Sequence, residues 1–265
     1  MKTIIVSGSD EKLAYLLMGL LDSLGQWNEP LSDAIGILDL GLSESTLSKI
    51  RNRVTEIKVP DWDFEVSDAL RKSSPYVRAK LARPFLPKYF PGYDLYLWLD
   101  ADTWVQEKYA INWYFMGASD GRIAICPSAD RSFTYSQQTL LWRKKHLFNY
   151  FGQDALDLYI NVLMLNTDYA YYNDGAFCLR ADAPHWKSWA HYFNQAVSAN
   201  PNTVSDQAVL NYAIWKDGLA VHPLPSLCNW ACHLALPLYN EKNNKLCEPH
   251  IPYNPIGLIE STRMQ

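Results

Sequence analysis

Two carboxylates one residue apart, Asp100 and Asp102, close the unbroken apolar run Leu95–Leu99. Paired acids at that spacing can share one hard divalent cation through oxygen ligands, and such a cation can in turn hold the two phosphates of a nucleotide. Upstream, Arg78, Lys80 and Arg83 precede Pro84. Cations approaching an acidic crevice would suit a diphosphate, although each could equally be an ordinary surface charge. Farther on, Asp206 follows Ser205 and precedes Gln207. It is either an acid favouring the positive end of a helix or a functional carboxylate presented by a fixed helix start.

The elements that must position these groups follow from the pattern around them. A short apolar run after the Pro91-Gly92 turn reads as a strand buried on both faces. Ligands of open α/β sheets sit beyond the carboxyl ends of strands, so Asp100 and Asp102 point into such a crevice. A metal there removes the cost of burying two acids; the alternative is a pair of loop aspartates capping the next turn. Residues 2–7 read as the first strand, running into the small polar loop Ser7, Gly8, Ser9, Asp10 and then a helical stripe of Leu13, Leu17, Leu20 and Leu24. That is the opening of a nucleotide-binding α/β unit, without the glycine pattern of a dinucleotide or P-loop site. Further strands are expected at 34–39, 55–59, 121–127, 176–180 and 219–222. Helices are expected through Leu47, Ile50 and Val54, from Ser74-Pro75, from Pro184, and from the Ser205 cap to Gly218. Asn173-Asp174-Gly175 reads as a turn. Residues 130–170 are a helical insertion, either a lid or acceptor wall or plain core packing. The fold class is α/β, with a mixed, mostly parallel central sheet flanked by helices and one domain over 1–265.

Composition narrows the function. A chain of 265 residues, 48% apolar and 20% charged, has the make-up of a soluble globular protein with a sizeable core. A net charge of −4 leaves no basic footprint for nucleic acid and argues against strongly polybasic attachment to lipid; Arg143-Lys144-Lys145 reads as a solvated helix face. The N-terminal apolar run is too short and polar for a signal segment, and no run of ~18 apolar residues exists to span a membrane. Five cysteines, an odd number, suit reduced thiols. The expected location is cytoplasmic, with at most peripheral contact with the inner face of a membrane.

Taken in order, Leu99-Asp100-Ala101-Asp102-Thr103, Asn173-Asp174-Gly175-Ala176-Phe177, Ser205-Asp206-Gln207-Ala208 and Leu224-Pro225-Ser226-Leu227-Cys228-Asn229-Trp230 resemble the family 8 glycosyltransferases, the group of glycogenin and the lipopolysaccharide galactosyl- and glucosyltransferases. The resemblance implies a GT-A fold, a nucleotide-diphospho-sugar donor such as a UDP-sugar, and Mn²⁺ or Mg²⁺ on Asp100 and Asp102. It implies a retaining transfer to a glycan or protein acceptor. Separately from the resemblance, a homodimer is one possible assembly. It places Asp206, Gln207, Asn173 and Asp174 in catalysis. Ser7, Gly8, Ser9, Asp10, Lys80, Arg83, Asp100, Ala101, Asp102 and Gly175 would bind the donor. Lys80 falls where the family usually carries an arginine. The late family histidine, a third metal ligand, is replaced here by Glu260, with His250 as the alternative, and Arg263 stands near the family's lysine.

Three other readings compete. A haloacid-dehalogenase-like phosphatase wants Thr or Val two places after its second aspartate, where this chain has Trp104. Cys228, Cys232, Cys247 and His250 have the ligand types of a small zinc site. A catalytically inactive GT-A-like domain would bind a nucleotide-sugar or glycan without transferring it.

Overall fold

A computed structural model describes residues 1–74, 76–133, 136–164 and 167–261. Pro75 and Arg263 lie outside the described residues. The chain begins with β1 (Thr3–Ser9), α1 (Ala14–Gly25), β2 (Ala34–Asp39), α2 (Glu44–Ile50), β3 (Glu56–Lys58), α3 (Asp68–Ser73), α4 (Val77–Ala82) and α5 (Leu86–Tyr89). It continues with β4 (Leu95–Leu99), β5 (Thr103–Val105), α6 (Lys108–Ala118), β6 (Ile123–Pro127), α7 (Gln137–Leu163), β7 (Tyr172–Arg180), α8 (His185–Ala199), α9 (Asp206–Asp217) and β8 (Val221–Pro223). Four short strands come after these: β9 (Trp230–Ala231), β10 (Leu238–Asn240), β11 (Lys245–Cys247) and β12 (Leu258–Glu260).

Seven strands form one sheet in the order β3-β2-β1-β4-β7-β6-β8. Pairing is parallel except where β7 runs against β4 and β6. Strand β4 is central and all five of its residues are buried. Its side chains alternate between two cores, as a strand covered on both faces requires. Tyr96 and Trp98 join Ile4, Val6, Phe177 and Leu179 on one face, while Leu95, Leu97 and Leu99 join Ile5, Ala176 and Cys178 on the other. The first core is closed by Trp186, Trp189 and Phe193 of α8 and Ala208 to Leu210 of α9; the second by Leu17, Leu20 and Leu24 of α1 and Ile111 and Tyr114 of α6. Each such large apolar side chain contributes roughly 1.5–3 kcal/mol by leaving water.

The antiparallel course of β7 brings distant residues to the end of β4. The first residues of β7 lie beside the last residues of β4, and the Asp100 amide donates to the Gly175 carbonyl at 2.8 Å. The turn expected at Asn173–Gly175 is instead part of this strand. The β6 ladder skips from Phe177 to Asn173, so Asp174, Gly175 and Ala176 have no partner on that side and the signal resolves into a bulge. The Asn173 side chain accepts from the Gly175 amide at 2.9 Å, which holds the bulge in shape.

Helix caps explain two further outcomes. Ser205 accepts from the Ala208 amide, and Gly218, at φ 63°, closes α9 in the left-handed region where a side chain would be strained. Ser74, expected to start a helix, ends one: its amide donates to Leu70, and the capping serine is Ser67, which accepts from the Leu70 amide. Arg78 and Lys80 still reach the sheet on a helix, α4, which carries no side-chain cap. The helical insertion is α7, interrupted at Gly152 (φ 67°) into two arms. The loop-rich end hides a strand that periodicity did not show: β12 pairs antiparallel with β5 and parallel with β9. No helix among the described residues is long and apolar enough to cross a membrane.

His185, buried at the start of α8, yields a prediction about stability. Its Nε2–H donates to the Ala220 carbonyl at 2.9 Å, while Nδ1 has no partner among the described residues. Burial pushes the imidazole down to about 4 from 6.5. Between those values the unfolded chain binds the proton and the folded chain does not, so this contribution is complete above about pH 6.5 and falls away toward about pH 4. The loss should approach about 3 kcal/mol, and chemical denaturation across that range should show a shallower acid limb in His185→Gln.

Candidate functional site

The carboxyl ends of β1, β4 and the start of β7 meet at one rim, and a buried knot of charge sits behind it. Arg83 follows α4 and is 5% exposed. Its guanidinium pairs with Asp100, with Asp174 at 3.1 Å and with Asp206 at 2.6 Å. The Trp98 ring lies 4.6 Å from the guanidinium carbon, and Trp98 Nε1 donates to Asp100 at 2.7 Å. Half-buried Lys80 pairs with the second Asp206 oxygen at 3.3 Å. Burial alone would raise the Asp206 carboxyl, but Lys80 and Arg83 outweigh it and hold the group below its ordinary range. Asp174 goes the other way: burial, then the Asp206 charge, push it well above the carboxylate range. Asp206 raises Lys80 against the cost of burial, and the three carboxylates raise Arg83 likewise.

In front of the knot lies a cleft of about 450 Å³ whose walls include Gly8, Ser9, Asp10, Lys80, Arg83, Asp100, Ala101, Asp102 and Glu260. Gly8, Ser9 and Asp10 of the first loop border this cleft. Ser7 does not line it: the side chain is 1% exposed, inside the β1–β2 pairing opposite Ile37. Gly8 does face the cleft, and a Cβ there would stand 3.1 Å from Leu38 Cβ. Asp10 accepts from the Leu13 amide, tying the loop to the following helical turn.

A second cleft of about 230 Å³ adjoins the first, with Glu260 in the walls of both. Asn173, Gln207, Asn229, Arg143 and His233 line it. Gln207 Nε2 donates to the Tyr172 carbonyl at 2.9 Å, which leaves the carbonyl end of the amide to the cleft. Asn173 Nδ2 donates to Glu260 at 2.9 Å. A Cβ on Gly175 would lie within 3.5 Å of Asn173 Oδ1, Asp100 Oδ2 and Asn229 Nδ2, so the bare glycine lets these polar side chains close around one point. Asp174 and Asp206 line neither cleft; both stand behind Arg83.

Sequence reasoning missed Trp98 and Asn229 as site residues. Trp98 sits in an unbroken apolar run that marks core, and its indole N–H has no sequence signature. Asn229 is 2% exposed with neither amide atom hydrogen-bonded among the described residues. A buried, unpaired amide beside a cleft is a costly arrangement that a polar ligand would relieve.

Burial, then repulsion from Asp102 and Asp100, push the Glu260 carboxyl up to about 8. No three His, Cys, Asp or Glu side chains among the described residues come together as a ready-made metal cage. That removes support for zinc on Cys228, Cys232, Cys247 and His250. The donor set of Asp100 and Asp102 suits a different arrangement, in which one or two carboxylates hold a hard cation whose remaining ligands are water and substrate phosphates. The residues fit such an ion: Asp100, Asp102 and Glu260 border one cleft, and Glu260 carries the repulsion of the other two in its raised value.

No protein-family model matches this sequence, and no curated protein does. Solved structures do match. The galactosyltransferase LgtC, in complex with donor and acceptor sugar analogs, superposes with a TM-score of 0.57 at 16% identity, over 98% of this chain and 87% of LgtC. The bifunctional glycosyltransferase WbbM gives 0.54 at 13% identity, over 85% of this chain and 39% of WbbM. Core-mannan synthase A (CmsA/Ktr4) from Aspergillus fumigatus, in a Mn/GDP form, gives 0.51 at 9% identity, over 83% and 70%. Identities this low carry no residue roles across, but agreement over nearly the whole length of LgtC fixes the architecture: the chain has the GT-A glycosyltransferase fold.

Proposed function

We propose that this chain is a metal-dependent retaining glycosyltransferase, acting as one domain, that moves a hexose from a UDP-sugar to a glycan or glycosylated acceptor. The observation that carries the reading is the pair of clefts sharing Glu260. One is bordered by the carboxylates of Asp100 and Asp102 and the cation of Lys80, the other by the amides of Gln207, Asn173 and Asn229. A nucleotide diphosphate suits the first, and sugar hydroxyls suit the second. The fold neighbours LgtC, with donor and acceptor sugar analogs, and CmsA, in a Mn/GDP form, support a nucleotide-sugar donor and a metal ion.

In this reading Gly8 to Asp10 hold the nucleotide against the ends of β1 and β4. Asp100 and Asp102 would hold Mn²⁺ or Mg²⁺, which when bound offsets negative charge on the departing diphosphate. Lys80 lines the cleft and adds a positive charge toward the leaving oxygen. The Gln207 carbonyl faces the second cleft, where positive charge develops on the anomeric carbon, and Asp206 adds its negative charge from behind Arg83. Asn173 and Gly175 shape the junction, and Asp174 acts on Arg83. Glu260 completes the shared wall as a third acidic group.

Thermal unfolding tests the donor site. A UDP-sugar with Mn²⁺ at about a hundredfold excess over Kd should raise Tm by about 5 °C. Neither component alone should do so, and Asp102→Ala should abolish the shift. No shift with any nucleotide-sugar in a folded chain sinks the reading. One observation favours a second reading, a domain that binds the donor without transferring it: both Asp206 oxygens are already engaged, by Lys80 and by Arg83. A full thermal shift without turnover of the sugar, to acceptor or to water, selects that alternative.

A further inference from the structure

The two arms of α7 carry an exposed apolar surface that meets the second cleft only at its edge, at Trp142. Leu141, Trp142 and Phe148 on the first arm, Ile160 and Leu163 on the second, and Met164 just past its end are between 45 and 67% exposed. Between the arms runs an apolar groove of about 240 Å³, with Leu140, Leu141, Leu156, Tyr159, Ile160 and Leu163 in its walls. Lys144 stands on the groove and Lys145 beside Leu141 and Trp142. The first arm, residues 137–149, carries Arg143, Lys144 and Lys145 and no acid, in a chain whose net charge is −4. On the second arm Asp154 pairs with Lys216, and Asp157, which is exposed, accepts from Gln153. Arg143 is buried under this face, 4.1 Å from the Tyr171 ring, leaving Lys144 and Lys145 as the exposed cations of the first arm.

We infer that this face of α7 docks on the surface of an anionic lipid bilayer, with the aliphatic side chains and Trp142 among the upper acyl segments and Lys144 and Lys145 at the phosphates. Exposed Leu, Ile, Phe and Trp beside unopposed lysines is the composition of an element lying in a membrane interface. A second copy of the chain fits less well, because a self-complementary contact would set the lysines of one copy against those of the other. Trp142 also lines the second cleft, so the docking face and that cleft share a wall. An acceptor whose tail lies in the bilayer would therefore meet the cleft from the membrane side. The docking itself goes beyond the transferase reading and does not rest on it.

Flotation of the full chain with vesicles tests it, and reads no turnover. Wild type should partition at least about tenfold more strongly onto vesicles with about 30% phosphatidylglycerol than onto pure phosphatidylcholine, and less so as salt rises. Leu141→Glu with Ile160→Glu should remove binding, and Lys144→Glu with Lys145→Glu should remove the preference for anionic lipid. All four positions are exposed, so both variants should keep the wild-type Tm. Wild type that stays unbound from the anionic vesicles overturns the inference, as does a Leu141→Glu, Ile160→Glu variant that floats like wild type. A wild-type dimer that this variant breaks, with no vesicle binding, assigns the face to a second copy instead.

Discussion

Arg83→Met should destabilise the fold by about 3–5 kcal/mol and abolish transfer. Methionine keeps the unbranched apolar stem but lacks the guanidinium, so the loss covers its charge, its hydrogen bonds and its stacking on Trp98 together. Asp100, Asp174 and Asp206 come from three separate elements and all end on this guanidinium. Without it, buried carboxylates face one another with only Lys80 nearby, the situation in which breaking a buried pair costs most. The drop in Tm should be on the order of 10 °C. Arg83→Lys retains a charge but not a planar fork able to serve three acids at once, so it should recover part of the stability. Denaturation of Arg83→Met within about 1 kcal/mol of wild type would show that the knot is not what holds the rim together.

Asp206→Asn should lower kcat by on the order of 10²–10³-fold while leaving the nucleotide-sugar thermal shift in place. The substitution keeps shape and removes the negative charge that Lys80 and Arg83 hold ionised. The Asp206 charge lies behind the two clefts, so its effect falls on the transition state more than on donor binding. Single-turnover measurement with the nucleotide-sugar that gives the shift separates the two quantities. A variant with wild-type kcat would remove Asp206 from the reaction and leave it a structural acid.

Much of this architecture was legible because it rests on local rules. The Leu95–Leu99 run could only be a doubly covered strand, and Ser205 with Gly218 bracket α9 by side-chain and backbone chemistry that needs no tertiary context. Asn173–Gly175 shows where local rules stop. The residues that favour a turn are present, but strands on both sides convert the turn into a bulge. Arg83 was legible as a cation near a diphosphate and not as the centre of a knot, since its partners lie 17, 91 and 123 residues away. Trp98 and Asn229 owe their importance to neighbours brought by other elements. Leu258–Glu260 is too short for periodicity to declare, and it becomes a strand only because β5 and β9 stand ready to pair with it.

That last strand has a consequence for the order in which the protein becomes functional. During synthesis the seven strands of the main sheet are all present once Pro223 has emerged, and the charge knot is complete with them. The shared wall of the two clefts is not: Glu260 and the Ser261 amide, which donates to the Asp102 carbonyl at 2.9 Å, arrive some forty residues later. A chain stopped before Leu258 would carry the framework and the paired aspartates yet leave the clefts merged and one side of Asp102 unsupported. Completion of the clefts thus waits on residues made well after the sheet that frames them.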